Sequence, residues 1–368
     1  DKWTGLAIGA NANIHRAVHK LAVDATDEYE STRDAVKEYI NAAAREEIVF
    51  TSGTTGSINL VAFSFGETFV NEGDEIIVSE SEHHSNIVPW QMLCQRKGAV
   101  LRVLHVDEDG HLNLEELKSL LNPKTRIVAV TQISNVLGIL NPVKEIVSVC
   151  HSAGCPVLID GAQGMVHEGV DVQDVDCDFY AFSGHKLYAA TGTGVLYGKR
   201  KWLDQMVPYQ GGGEMISTVR FSGTTYAPLP EKFEAGTQNI NAIPTLEPAI
   251  EMLKLMKDKE LLNAQEAVSQ YLLHALTSNP RVRLYGVPRG TETKIPLFSF
   301  SVEGAHHEDL ALILDKMGIA VRSGQMCAEP LMDRFSRRRT IYMLDFASTA
   351  IYALLAGLMH FGLFSFWA

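Results

Sequence analysis

Between residues 47 and 198, seven short apolar runs alternate with amphipathic or mixed stretches, and no other feature of the 368-residue chain limits its fold so strongly. The runs 47–51, 75–79, 101–106, 126–132, 156–160, 178–182 and 194–198 read as strands. The stretches 57–69, 87–97, 113–121 and 143–153 read as helices, and so does 13–45 ahead of the first strand. Strand–helix alternation builds βαβ units on a mostly parallel sheet, with ligands beyond the carboxyl ends of the strands. The glycines 211–213 form a turn after the last strand, and 242–276 reads as helix again. From about residue 278 the pattern changes to short strands, 298–302 and 319–322, around a helix at 308–317. The expectation is an α/β chain with a large domain over 1–277 and a smaller α+β domain over 278–368.

Composition excludes some functions. Asp plus Glu is 44 against 32 for Lys plus Arg, a net charge of −12, which argues against a protein held to nucleic acid by phosphate contacts. Five cysteines with no Cys-x-x-Cys pair argue against a disulfide framework or a zinc knuckle and suit a reducing compartment. Residues 1–12 do not read as a secretory signal. The uncharged tail 346–368 is long enough for a membrane span, but Ser348, Thr349, His360 and Ser365 interrupt it and no basic flank follows. A buried closing helix, and no membrane, is the expectation there.

Four polar clusters follow strands. Thr51-Ser-Gly-Thr-Thr-Gly-Ser-Ile-Asn59 is a small-residue turn whose N–H groups and the hydroxyls of Thr54 and Thr55 can hold a phosphate at a helix N-terminus. It equally suits an ordinary capped turn, and it resembles the loop of adenylate-forming ligases, although Ile58-Asn59 stands where that family carries Pro-Lys. Glu82-His-His-Ser-Asn86 is either a polar loop or a place for an imidazole to lie on an aromatic ring; adjacent histidines make a poor metal pair. Asp160, in Asp-Gly-Ala-Gln163, ends an apolar strand, where an acid is costly unless paired. A protonated ring nitrogen would suit it. Metal is the alternative, with no second carboxylate in helix or strand reach. Lys186, in Ser183-Gly-His185-Lys, can form a Schiff base with an aldehyde. Taken together, Thr54, Thr55, His83, Asn135, Asp160, Gln163, Ser183, His185 and Lys186 are the groups that pyridoxal 5'-phosphate needs: a phosphate cup, a ring stacker, donors to the phenolic oxygen, a pyridinium partner and an amine.

These runs resemble the SUF-type, group II cysteine desulfurases, a family that includes selenocysteine lyase activity and has the type I aminotransferase fold of class V. Asn13-Ile-His-Arg-Ala-Val-His19, Gly211-Gly-Gly-Glu-Met215, Phe233-Glu-Ala-Gly-Thr237 and Val321-Arg-Ser-Gly-Gln-Met-Cys-Ala328 extend the likeness over roughly 13–335. The resemblance implies a large, mostly parallel seven-stranded sheet domain. It implies that Lys186 holds the cofactor, Asp160 pairs with its ring nitrogen, His83 stacks on the ring, and Asn135 and Gln163 contact the phenolic oxygen. Thr55, Ser183 and His185 would bind the phosphate, with Thr237 reaching in from the second subunit of a homodimer. Arg322 would grip the carboxylate of L-cysteine, or L-selenocysteine, with Asn135 nearby. Cys327, on a short loop, would take up the sulfur as a persulfide and pass it to a SUF-type acceptor protein for iron–sulfur cluster assembly. Cys94, Cys150, Cys155 and Cys177 receive no role. The cytoplasm is the expected compartment, or an organellar stroma or matrix in a eukaryote.

Two departures stand out. The strand and Ala-Ala-Thr turn that open the family pattern are not in residues 1–12, so the chain reads as starting late. After Phe335, Ser336-Arg-Arg-Arg-Thr-Ile-Tyr-Met-Leu-Asp-Phe346 replaces the expected pattern, so the second substrate-binding Arg has no clear position; Arg338 and Arg339 fit by spacing only. Ala353-Leu-Leu-Ala-Gly-Leu358 again resembles the family's last helix. Another class-V aminotransferase or epimerase would need no loop cysteine. A membrane-tethered binding protein has only the tail in its favour.

Overall fold

The computed structural model describes residues 12–15, 19–258, 263–288, 294–324, 326–336 and 342–345. The chain divides into two compact units. The first comprises Asp1–His105, Asn113–Ile133 and Asn141–Leu255; the second comprises Val106–Leu112, Ser134–Leu140 and Met256–Ala368.

Seven strands form the sheet of the first unit: β1 (Ile48–Thr51), β2 (Glu75–Ser79), β3 (Val100–Leu104), β4 (Thr125–Thr131), β5 (Val157–Asp160), β6 (Phe179–Ser183) and β7 (Gly194–Gly198). Their spatial order is β1-β7-β6-β5-β4-β2-β3. β7 runs antiparallel to both neighbours, and the remaining pairings are parallel. Every residue of β2, β5, β6 and β7 is buried, which is why they read as near-continuous Val, Ile, Leu and Phe: helices cover both faces of a parallel sheet. β3 is an edge strand, mostly exposed. Val49, Ile58, Phe65, Trp90, Leu93, Ile127 and Phe179 belong to one core that packs the helices Thr54–Phe69 and Val88–Lys97 onto the sheet.

The first helix is shorter than the expected 13–45. It spans Lys20–Tyr39, opened by the His19 side chain, which accepts from the Ala22 N–H. It stops at Ile40, and Asn41 turns the chain at φ 55°. Its Arg33 is buried, donating to Glu234 at 2.7 and 3.0 Å and to the Ile48 carbonyl at 2.8 Å, with its guanidinium 4.5 Å from the Phe50 ring centroid. The expected 242–276 helix resolves into Leu246–Asp258 and Asn263–Thr277.

A hairpin, β8 (Ile216–Arg220) with β9 (Gly223–Tyr226), was not legible in the sequence: almost every residue is exposed, so it carries no apolar alternation. The second unit is α+β, an antiparallel sheet of β10 (Val282–Tyr285), β11 (Leu297–Val302), β12 (Arg322–Ser323) and β13 (Tyr342–Asp345) in the order β10-β11-β13-β12, with the helices His307–Lys316 and Glu329–Ser336. Among the described residues no helix is long and apolar enough to cross a membrane. The tail expected as a closing helix, and Arg338 and Arg339, lie outside the described residues.

Candidate active site

The turn after β1 is built on close backbone approach. A Cβ on Gly194 of β7 would lie 2.3 Å from the Gly53 Cα, and Gly53 itself sits at φ 143°. Only glycines allow that contact. It delivers Ser183, at the end of β6, to Thr54: the Thr54 N–H donates to the Ser183 Oγ at 2.8 Å, and the two hydroxyls lie 2.7 Å apart. Both residues are buried, whereas Thr55 is exposed. The 16-residue helix beginning at Thr54 has no side-chain cap, so its positive end is available to an anion.

Asp160 closes β5 in the buried interior, and its Oδ1 accepts the Ala162 N–H at 2.9 Å. Burial pushes its carboxyl above the usual carboxylate range; that hydrogen bond and the Lys186 charge pull it back. Its loop is set from beneath by Tyr180, whose hydroxyl donates to the Gln132 Oε1. A Cβ on Gly161 would lie 2.0 Å from the Tyr180 ring. Gln163 follows, half-buried, in helical conformation.

Lys186 stands in the 3-10 turn Gly184–Leu187 directly after β6, half-buried. His185 is exposed there, and desolvation together with the Lys186 charge holds its imidazole below its ordinary pKa. His83 opens the turn His84–Asn86 after β2. Its Nδ1 accepts the Ser85 N–H at 3.0 Å, which puts the ring proton of the neutral tautomer on Nε2. Thr237 is exposed, and no hydrogen bond joins it to the Ser183–Thr54 pair.

In the second unit, Arg322 donates through Nη2 to the Cys327 sulfur at 3.4 Å. Met326 and Cys327 both adopt left-handed backbone, at φ 51° and 57°, a conformation costing about 1–2 kcal/mol per non-glycine residue. The Asn135 amide donates to the Met326 carbonyl at 2.9 Å and so anchors the strained pair. Asn135, expected on a phenolic oxygen, is thus engaged by the cysteine loop. The other thiols are buried, and burial pushes each above the ordinary thiol range, Cys150 to about 12. Cys327 is the half-exposed one of the five.

Sequence reasoning missed Glu82. It gave Glu82 no role, although the Glu82 carboxyl is fully buried and feels the Asp160 charge. Side chains three strands apart in sequence carry no spacing signal; only the acid inside Glu82-His-His-Ser-Asn86 could have drawn notice. Among the described residues no three His, Cys, Asp or Glu groups are arranged to hold a metal.

The family model for class-V aminotransferases matches residues 5–353. The cysteine desulfurase of Pectobacterium atrosepticum is 47% identical over 325 residues, 88% of this chain and 79% of that protein. The cysteine desulfurase of Enterobacter sp. strain 638 is 48% identical over 87% of this chain and 78% of its own. Among solved structures, the cysteine desulfurase CsdA of Escherichia coli superposes with a TM-score of 0.82 at 38% identity, covering 93% of this chain and 84% of that one. The cysteine desulfurase of Thermococcus onnurineus gives 0.85 at 35% identity over the same shares. The chain belongs to the class-V aminotransferase family, whose fold its seven-stranded sheet repeats. Its similarity within that family is to cysteine desulfurases.

The donor set suits the cofactor of such enzymes. A hydroxyl pair at an uncapped helix end meets an anionic group; a buried carboxyl with one hydrogen bond is left wanting a cationic partner; an amine stands in its field. Pyridoxal 5'-phosphate is anionic at one end and carries a basic ring nitrogen at the other, so the residues fit it.

Proposed function

We infer that the protein is a cysteine desulfurase that converts L-cysteine to L-alanine and carries the released sulfur on Cys327. The observation that supports this most is the contact between Arg322 and the Cys327 sulfur at 3.4 Å, on a half-exposed loop, while the other four thiols are buried. A half-exposed thiol can be reached by a substrate and by an acceptor, as four buried ones cannot. Pyridoxal 5'-phosphate, when bound, supplies an electron sink for the substrate's Cα. Thr54, Thr55, Ser183 and His185 hold its phosphate, and Thr237 does so from a second subunit. His83 covers its ring, Asn135 and Gln163 face its phenolic oxygen, and Asp160 keeps a proton on the ring nitrogen. Lys186 binds it and moves the proton at the substrate's Cα. Arg322 orients the substrate carboxylate, bidentate contact being its strength. Cys327 then attacks the substrate sulfur: an S–S bond forms, the C–S bond breaks, and its electron pair stays with the carbon fragment, which leaves protonated as alanine. The sum is cysteine plus enzyme thiol giving alanine plus enzyme persulfide.

The large domain, 1–277, carries the cofactor set in this proposal, and the small one, 278–368, carries the cysteine loop. The enzyme works as a homodimer in the cytoplasm, and a SUF-type acceptor collects the sulfur for iron–sulfur clusters. The test is Cys327→Ser. The variant should keep the visible absorbance of bound cofactor and lose nearly all alanine release from cysteine, while release from selenocysteine falls much less. Mass spectrometry of wild-type protein after cysteine addition should find one extra sulfur on the Cys327 peptide. Full cysteine turnover by the variant, or the extra sulfur on another cysteine, refutes the mechanism.

A further inference from the structure

Glu82 is fully buried, and its two carboxyl oxygens hold together three separate pieces of chain. Oε1 accepts the Thr131 N–H at 2.8 Å and lies in contact with the Ser79 hydroxyl, so the ends of β4 and β2 meet on one atom. Oε2 accepts the Asn86 side-chain amide at 2.6 Å. Asn86 in turn accepts the Trp90 indole N–H at 3.0 Å through its Oδ1. An indole nitrogen can only donate, so Trp90 fixes which way Asn86 faces, and Asn86 must present its NH2 to Glu82. Backbone N–H groups cannot turn round either. The arms from Asn86 and Thr131 therefore demand acceptors on both oxygens, and a carboxyl group is the side chain of that length that supplies two.

The position of this knot matters more than its strength. Residue 83 is the next in the chain, and Asn86 ends the turn in which the His83 ring is set. Thr131, held by its N–H, is the register partner of Asp160 on β5. One buried acid thus touches the turn that presents His83 and the strand end beside Asp160. The titratable groups around it are Asp160 on β5, His83 and His84 on its own turn, and Lys186, whose charge reaches Asp160 from the turn after β6. Burial, and next to it the Asp160 charge, push the Glu82 carboxyl upward against the pull of its donors.

We propose that Glu82 is a positioning residue of the reaction: it locks the His83 turn to the ends of β2 and β4, beside the strand end that carries Asp160, and so fixes where the His83 ring stands over whatever ligand the site holds. Nothing in its contacts makes it a catalytic residue, because it acts through the His83 turn. The inference rests on the reading of this site as a pyridoxal 5'-phosphate site.

The test separates placement of the His83 turn from packing alone. Glu82→Gln leaves a donor facing a donor at either Asn86 or Thr131 and should melt several degrees lower than wild type. Trp90→Phe removes the indole N–H, which frees Asn86 to turn over and present its oxygen to the amide introduced at position 82. The double variant E82Q/W90F should therefore melt close to W90F alone. Each protein is titrated with pyridoxal 5'-phosphate by absorbance, and the maximum of the visible band of the bound cofactor is recorded, because a displaced His83 ring changes the surroundings of the cofactor ring. The maximum should shift in E82Q and return in E82Q/W90F to that of W90F. A band in E82Q that coincides with that of wild type would make Glu82 a packing residue and overturn the proposal. Wild-type protein that takes up no cofactor would instead overturn the functional reading beneath it.

Discussion

Lys186 and Asp160 are each ordinary alone and informative together. A lysine is usually a solvated surface group, and a buried acid usually has a structural partner. Here the acid has one hydrogen bond, from the Ala162 N–H, and the field of Lys186 beside it. Burying an ionised carboxyl without a matched cation costs several kcal/mol, so such a pair persists where a cationic ligand completes it. These residues were legible in the sequence because each sits just past an apolar strand, where the sheet leaves room for a ligand. Glu82 was not, since its neighbours Thr131 and Asp160 come from other strands. Lys186→Ala should leave protein that is colourless or binds pyridoxal 5'-phosphate only reversibly, with desulfuration lost. Borohydride reduction of wild type followed by peptide mapping checks it; label on another lysine refutes the assignment.

At the level of elements, the loops rather than the strands separate what the sequence disclosed from what it hid. All seven strands of the large sheet fall within a residue or two of their expected ends; β2, β5, β6 and β7 are buried from end to end, which writes itself as apolar runs, and the mostly exposed β3 is apolar at four of its five positions. The β8–β9 hairpin and β10 left no such trace, being exposed or only half-covered. The cysteine loop shows a third case. Its residues were readable as a motif, but its shape depends on Asn135, 191 positions earlier, holding the Met326 carbonyl. Two adjacent left-handed residues keep that form only while something over-determines it. Asn135→Ala should release the loop and, in the proposed site, also remove a contact to the cofactor's phenolic oxygen: turnover of cysteine falls about 10-fold or more, the loss of one good anchoring hydrogen bond. Iodoacetamide alkylation of Cys327 should change rate in step. Unaltered turnover and alkylation would show that the anchor is idle.

For the whole molecule, the open question is whether one chain makes a complete site. Thr237 is exposed on the protomer and makes no hydrogen bond to the Thr54–Ser183 pair, although all three belong to the same unit. In the proposed homodimer, Thr237 serves the phosphate of the partner's site, and each site then draws on two chains. A mixing experiment distinguishes this from a site complete in one chain. Lys186→Ala lacks the amine but keeps Thr237; Thr237→Val lacks the hydroxyl but keeps the amine. Each homodimer is defective. When equal amounts are unfolded together and refolded, or co-expressed, half of the dimers are hybrids under random pairing. In a hybrid, one site carries both lesions, and the other joins an intact Lys186 to the Thr237 of the Lys186→Ala chain. Shared sites therefore restore about a quarter of wild-type activity, as two-fold symmetry with exchanged residues requires. Sites complete within one chain gain nothing from mixing, because every chain still carries its own lesion. A mixture no more active than the average of the two variants would mean that Thr237 acts in its own chain or not at all.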